Sequence, residues 1–274
     1  MLQRTITAFA MIAVVSVLLY FGGIAITVGV LVCVLVSVAE EYNALSKAGH
    51  RLITWPTWLA VVISVPLMYF FGGKVLIPVA AGTAILTASL VMFRAQPKLE
   101  DVLMSILPLI SVVLPGMCME AMSFIPEVEV QREMICLMIC IPIMGDTLAL
   151  YVGSALQGPK LCPEVSPKKT ISGAVGGLIG SMLAALAIAV ITRTCCSAEI
   201  IALMPQLWTY AVIGVVGGLA GQMGDLFASL VKRHCGLKDF SNMFPGHGGM
   251  MDRLDSIYFS ALVVYCVRLM GTGI

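Results

Sequence analysis

A chain of 274 residues that is 59% hydrophobic and only 11% charged is not a soluble domain, where about a quarter of residues carry charge. Its net charge of +1 supplies no basic field, and no nucleic-acid partner is expected. The nine cysteines lie mostly in apolar runs without paired C-x-x-C spacing, so they read as reduced, small hydrophobes.

Nine apolar runs follow in chain order, at residues 5–20, 24–39, 56–72, 75–93, 102–119, 134–153, 171–192, 200–231 and 256–271. They predict an all-α, polytopic integral membrane protein with about nine transmembrane helices. The first two runs, joined by Phe21-Gly22-Gly23, are short enough for a re-entrant hairpin instead, and Pro205 marks the true start of the long eighth run. Lys/Arg placement sets the orientation. The N-terminus and the even loops carry Arg4, Lys47, Arg51, Arg94, Lys98, Lys160, Lys168, Lys169, Lys232, Arg233, Lys238 and Arg253. The odd loops carry only Lys74, Arg132 and Arg193, so the even loops are expected in the cytoplasm.

The loop after the sixth run reads L-C-P-E-V-S-P-K-K-T from Leu161 to Thr170, shortly after Gly145-Asp146-Thr147. Ser166, Lys168, Lys169 and Thr170 offer two hydroxyls and two ammonium groups beside a Pro-fixed turn, which suits a triphosphate. Taken alone, the same segment is equally a positive-inside loop. Two spans then echo each other, V-G-G-L-I-G at 175–180 and V-G-G-L-A-G at 216–221. Small residues four apart let helix backbones approach closely in lipid, and such packing would bring the 161–170 loop near Asp225.

Polarity concentrates in Asp225–Ser256, whose 32 residues hold four carboxylates, four Lys/Arg and two of the three His. Gln222, Asp225, Ser229 and Lys232 follow at helical steps of three and four, so they share one face. Counting back roughly 12 Å from Arg233 places Asp225 inside the span, and an intramembrane carboxylate is a functional hypothesis by default. Further on, P-G-H-G-G precedes Met250-Met251-Asp252-Arg253-Leu254-Asp255. Glycines around His247 leave backbone N–H groups free to approach an anion, and Asp252 and Asp255 suit a helix N-terminus. Carboxylates for a divalent metal and cations for phosphate together make phosphoryl- or nucleotidyl-transfer equipment.

The string S-L-V-K-R, then K-D, then P-G-H-G-G-x-x-D-R-x-D resembles the signature of the phosphatidate cytidylyltransferases (CDP-diacylglycerol synthases). Ser166–Thr170 resembles that family's S-P-x-K-T segment, and Asp146 its acidic residue in D-[ST]-x-A-Y-x-x-G. The match departs at Leu150, with Tyr151 one place late, at Ser154 where a basic residue is usual, and at Ser172 where an acid is common. Glu40-Glu41-Tyr42 and Phe93-Arg94 resemble family positions only loosely and read as span flanks.

The resemblance implies transfer of CMP from CTP to phosphatidate at a cytoplasmic face of the bacterial inner membrane. It implies catalytic roles for Asp225, Lys232, Asp252 and Asp255, with Asp225 and Asp252 holding Mg²⁺ or another divalent cation. Asp146, Ser166, Lys168, Lys169, Thr170, Ser229, Arg233, Lys238, His247, Gly248, Gly249 and Arg253 would bind substrate. One polytopic domain is expected over residues 1–274, with N-terminal helices to about 133 and catalytic helices and loops over 134–274. Membrane lipids are partners, and a homodimer is compatible with this reading. The rival readings are a CTP-dependent polyprenol kinase, an ether-lipid cytidylyltransferase, and a transporter using Asp146, Asp225 and Arg268 as a coupled path.

Overall fold

The computed structural model describes residues 2–272, with side chains at 7 and 9–270. The side chain of Arg4, one of the cations counted above, lies outside the described residues. The nine apolar runs lie largely in helix, because a backbone in lipid must satisfy its own hydrogen bonds; the eighth is broken at residues 203–206. The helices are α1 (Leu2–Phe21), α2 (Gly23–Lys47), α3 (Trp55–Phe71), α4 (Leu76–Met92), α5 (Leu99–Pro108) and α6 (Leu114–Ser123). They continue with α7 (Val128–Leu156), α8 (Ile171–Cys195), α9 (Ala198–Ala202), α10 (Leu207–His234) and α11 (Met251–Thr272). Among the described residues six stretches are long and apolar enough to cross a membrane, against the nine expected; Trp55–Met92 counts as one of 38 residues. The protein is an all-α polytopic membrane protein.

The 161–170 segment, expected as an irregular loop, is instead an antiparallel hairpin of β1 (Lys160–Cys162) and β2 (Ser166–Thr170). Lys160 pairs with Thr170 and Cys162 with Ser166, and the unequal spacing is a bulge. Pro167 lacks an N–H, and an edge strand with a bulge tolerates that.

The chain forms two compact units, Met1–Phe124 with Val231–Leu254, and Ile125–Leu230 with Asp255–Ile274. The first unit buries polar groups inside its helices and pairs several of them with hydroxyls, as burial without a partner is costly. Ser64 donates to Glu120 at 2.9 Å, Ser111 to Glu41 at 2.7 Å, and Tyr42 to Thr57 at 2.7 Å. Ser111 lies on a π-helical turn, Leu109–Val113, that follows Pro108.

The second unit packs through small residues. A Cβ on Gly176 would stand 2.6 Å from Val152 of α7, and one on Gly218 would stand 2.4 Å from Ser181 of α8. The two glycine repeats thus serve close backbone approach, α8 against α7 and α10 against α8. On another face of α10, Gly224 meets α11. Gly224→Ala would set a Cβ 2.5 Å from the Asp255 carbonyl oxygen and 2.9 Å from the Phe259 ring. A carbonyl held in a helix cannot retreat, so this change should cost roughly 1–3 kcal/mol of stability. The readout is the melting temperature in detergent; an unchanged value would contradict the packing of α10 on α11.

Candidate active site

Strand alternation decides where the hairpin cations go. Successive side chains of a strand face opposite ways, and in β2 Lys168 is exposed while Lys169 is half-buried. The Lys169 ammonium pairs with the Asp225 carboxylate on α10. Their side chains keep 26% and 29% of their exposure, while the Lys169 nitrogen itself is buried against the carboxylate. The pair borders a cavity of about 800 Å³ whose wall includes Asp146, Lys168, Lys169, Thr170, Gln222 and Asp225. The packing expected from the glycine repeats has brought the 161–170 segment to Asp225.

Two hydrogen bonds hold this arrangement in place. Thr170 closes the hairpin and caps α8, its Oγ1 accepting from the Gly173 N–H at 3.1 Å. Gln222, three residues before Asp225, donates from Nε2 to the Ala174 carbonyl at 3.0 Å. Helix α10 is therefore tied to the first turn of α8, and the hairpin to that same turn. Ser166, Ser229 and Asp255 do not line the cavity. Ser166 stands opposite Cys162, and the Asp255 Oδ1 accepts from the N–H of Ser256 at 2.7 Å.

The first unit holds the glycine-rich segment. The His247 N–H donates to the Phe244 carbonyl at 2.9 Å across Pro245-Gly246, and Gly246 has φ 80°. Proline at the second place and positive φ at the third mark a type II turn, which requires glycine there. Gly248, at φ 82°, continues the excursion, and Phe244 donates back to its carbonyl at 2.9 Å. The Nδ1 of His247 is buried without a hydrogen-bond partner among the described residues.

Beneath the turn, Asp252 acts as an anchor. Its Oδ1 takes the Lys232 ammonium at 2.7 Å, and its Oδ2 accepts the N–H groups of Phe240 at 2.8 Å and Gly249 at 2.9 Å. Both partners of the ion pair are buried, and the Lys232 ammonium also faces the Phe240 ring at 5.5 Å. Lys232, expected in a catalytic role, is engaged by the Asp252 carboxylate in this structure. Arg233, Lys238 and Arg253 are exposed, and Arg233 donates to the Leu237 carbonyl at 3.2 Å. Burial and the Glu41 carboxylate push the Cys235 thiol up, which leaves it a poor nucleophile.

Among the described residues no three His, Cys, Asp or Glu side chains form a metal-binding group. Mg²⁺ needs only one or two carboxylates when substrate phosphates and water complete its shell. Asp225 fits that use: its carboxylate already meets a positive charge at a cavity wall that also carries Asp146. Asp252 fits less directly, since three donors take most of the roughly four lone-pair sites of a carboxylate.

Glu40 is the residue that spacing did not single out. It accepts hydrogen bonds from Ser241, Met250 and Met251, at the end of the glycine-rich segment. The available signal was an acid pair, Glu40-Glu41, ending an apolar run.

Known proteins resemble this chain over much of its length. The cytidylyltransferase family pattern matches residues 2–270. A phosphatidate cytidylyltransferase of Rickettsia conorii is 30% identical over 161 residues, which is 59% of this chain and 69% of that protein. The Rickettsia prowazekii protein of the same name is 32% identical over the same shares. One from Brucella melitensis is 38% identical over 120 residues, covering 44% of this chain and 41% of the relative. With a match from residue 2 to residue 270, the chain belongs to the cytidylyltransferase family.

Proposed function

We propose that the protein transfers CMP from CTP to phosphatidate, releasing pyrophosphate and CDP-diacylglycerol, at the cytoplasmic face of a bacterial inner membrane. The observation that carries this reading is the cavity where Lys168 and Lys169 share a wall with Asp146 and Asp225. Cations suit the triphosphate and carboxylates suit its counter-ion. The names of the relatives support phosphatidate as the acceptor.

A phosphatidate oxygen attacks the α-phosphorus of CTP in line. The new P–O bond forms as the bond to the β-phosphate oxygen breaks, and pyrophosphate carries the electron pair away. No strong base is required, because a phosphate monoester is largely dianionic near neutral pH. What remains is positioning and neutralisation of charge. A divalent cation, when bound, screens the two polyanions from each other and stabilises the leaving group. Asp225 would hold it. Asp252 was also assigned to the metal from the sequence and could serve only by giving up some of its present donors. Lys169, beside Asp225 on the cavity wall, would hold a triphosphate oxygen. Lys168 holds a further phosphate oxygen, and the lipid tails stay in the bilayer.

The direct test is purified protein with labelled CTP, phosphatidate and Mg²⁺, with the lipid product identified by thin-layer chromatography. Label in CDP-diacylglycerol supports the reading. Label in a phosphorylated polyprenol, or none in lipid, sinks it. The cationic groups should separate kinetically. Lys168→Ala and Lys169→Ala are expected mainly to raise KM for CTP, by about tenfold for each lost charge-assisted contact. Arg253→Lys should mainly impair phosphatidate use, since an ammonium cannot reproduce the two parallel hydrogen bonds of a guanidinium. If Arg253→Lys weakens CTP use more than lipid use, the two assignments reverse.

A further inference from the structure

We infer that Glu40 is a positioning residue for the site: from α2 it holds residues 249–251, and so presents the glycine-rich turn to a phosphate group of the substrate. The identity of that phosphate rests on the transfer reading above; the holding contacts do not.

Glu40 is 6% exposed, so its carboxylate needs partners, and it has three. Its Oε1 accepts from the Ser241 hydroxyl at 2.5 Å and the Met250 N–H at 3.0 Å, and its Oε2 from the Met251 N–H at 2.8 Å. Met251 begins α11. The first N–H groups of a helix have no partner within it, and the helix dipole favours an anion there. A helix end that a local side chain usually caps is here capped by a residue 211 positions away. Next in the chain is Gly249, whose N–H goes to Asp252 at 2.9 Å. A Cβ on Gly249 would stand 2.5 to 2.7 Å from the Glu40 carboxyl group, so only glycine admits this approach.

Two carboxylates thus absorb the N–H groups of three successive residues, Gly249 to Met251. Residues 245–248 are left as the open lip of the turn, with Pro245 and Gly246 exposed. A lip anchored from beneath can receive a phosphate without first being ordered, which is where binding energy is otherwise lost.

Glu40→Gln tests the inference, because the amide keeps size and one acceptor but turns an NH₂ against a backbone donor. In steady-state assays varying CTP and phosphatidate in turn, it is expected to raise KM for one substrate by at least about tenfold. The KM of the other substrate should stay near wild type, and any fall in melting temperature should lower the amount of folded enzyme without moving that KM. A residue that only supports folding would lower the amount of active enzyme and leave both KM values unchanged, and that result overturns the proposal. Should Glu40→Gln fail to insert, Ser241→Ala withdraws one donor from the carboxylate and should give the same split in smaller measure; unchanged KM values there count equally against it. If the wild-type protein makes no labelled lipid, the transfer reading has failed, not this one. Equilibrium binding of inorganic pyrophosphate then decides: weaker binding by Glu40→Gln supports the inference, and equal binding removes it.

Discussion

Asp225→Asn should lower CMP transfer by about 100- to 1000-fold, the range seen when one group aimed at transition-state charge is removed. Two losses combine. The amide is a far weaker ligand for a divalent cation, and the Lys169 ammonium, paired with Asp225 in this structure, is left without its counter-charge. The two contributions can be told apart. If Asp225 serves only to hold Lys169, then Lys169→Ala should be as damaging as Asp225→Asn. If Asp225 also holds the cation, Asp225→Asn should be much the worse. Binding of Mn²⁺ without nucleotide should then be lost in Asp225→Asn and kept in Lys169→Ala. Near-normal turnover by Asp225→Asn, with the protein inserted and purified as usual, would remove this residue from the site.

Asp252→Ala should damage stability and activity together. The change strands the buried Lys232 ammonium and leaves the N–H groups of Phe240 and Gly249 without their acceptor. Breaking a buried pair from one side costs about 3–5 kcal/mol, because the remaining charge has no compensation. The melting temperature should fall and the turn should lose its place. Lys232→Met combined with Asp252→Leu should melt higher than Asp252→Ala alone, since no charge is then stranded. A variant Asp252→Ala that melts like wild type but is inactive would assign the carboxylate to the reaction and not to the turn.

Much of the fold was legible because hydropathy reports directly on lipid contact. The apolar runs are largely helical, and after a break at 203–206 in the eighth run α10 begins at Leu207, just past Pro205. The hairpin was hidden: Pro167 and two lysines do not read as a strand, and the capping bond from Gly173 to Thr170 is what aligns its end with α8. In the site, the meeting of Lys169 with Asp225 followed from the small-residue repeats. The pairing of Lys232 with Asp252 was not legible, since helical spacing tells which face a side chain occupies but not what lies across from it. Asp252 is 20 residues on, past the turn. Glu40 lay further out of reach, with partners 201 to 211 residues away that no local pattern connects.

That separation has a consequence for how the protein is made. Synthesis runs from the N-terminus, and helices enter the membrane in roughly that order. Glu40 arrives with α2, when Ser241, Met250 and Met251 have not yet been translated. A carboxylate at the end of an apolar helix must then stay wet or protonated until about 200 further residues emerge. The last stretch of the chain completes a unit that the first stretch began. A ribosome that stops before residue 241 leaves α2 in the membrane with an acid it cannot satisfy, and such a fragment should be a preferred target for membrane proteases.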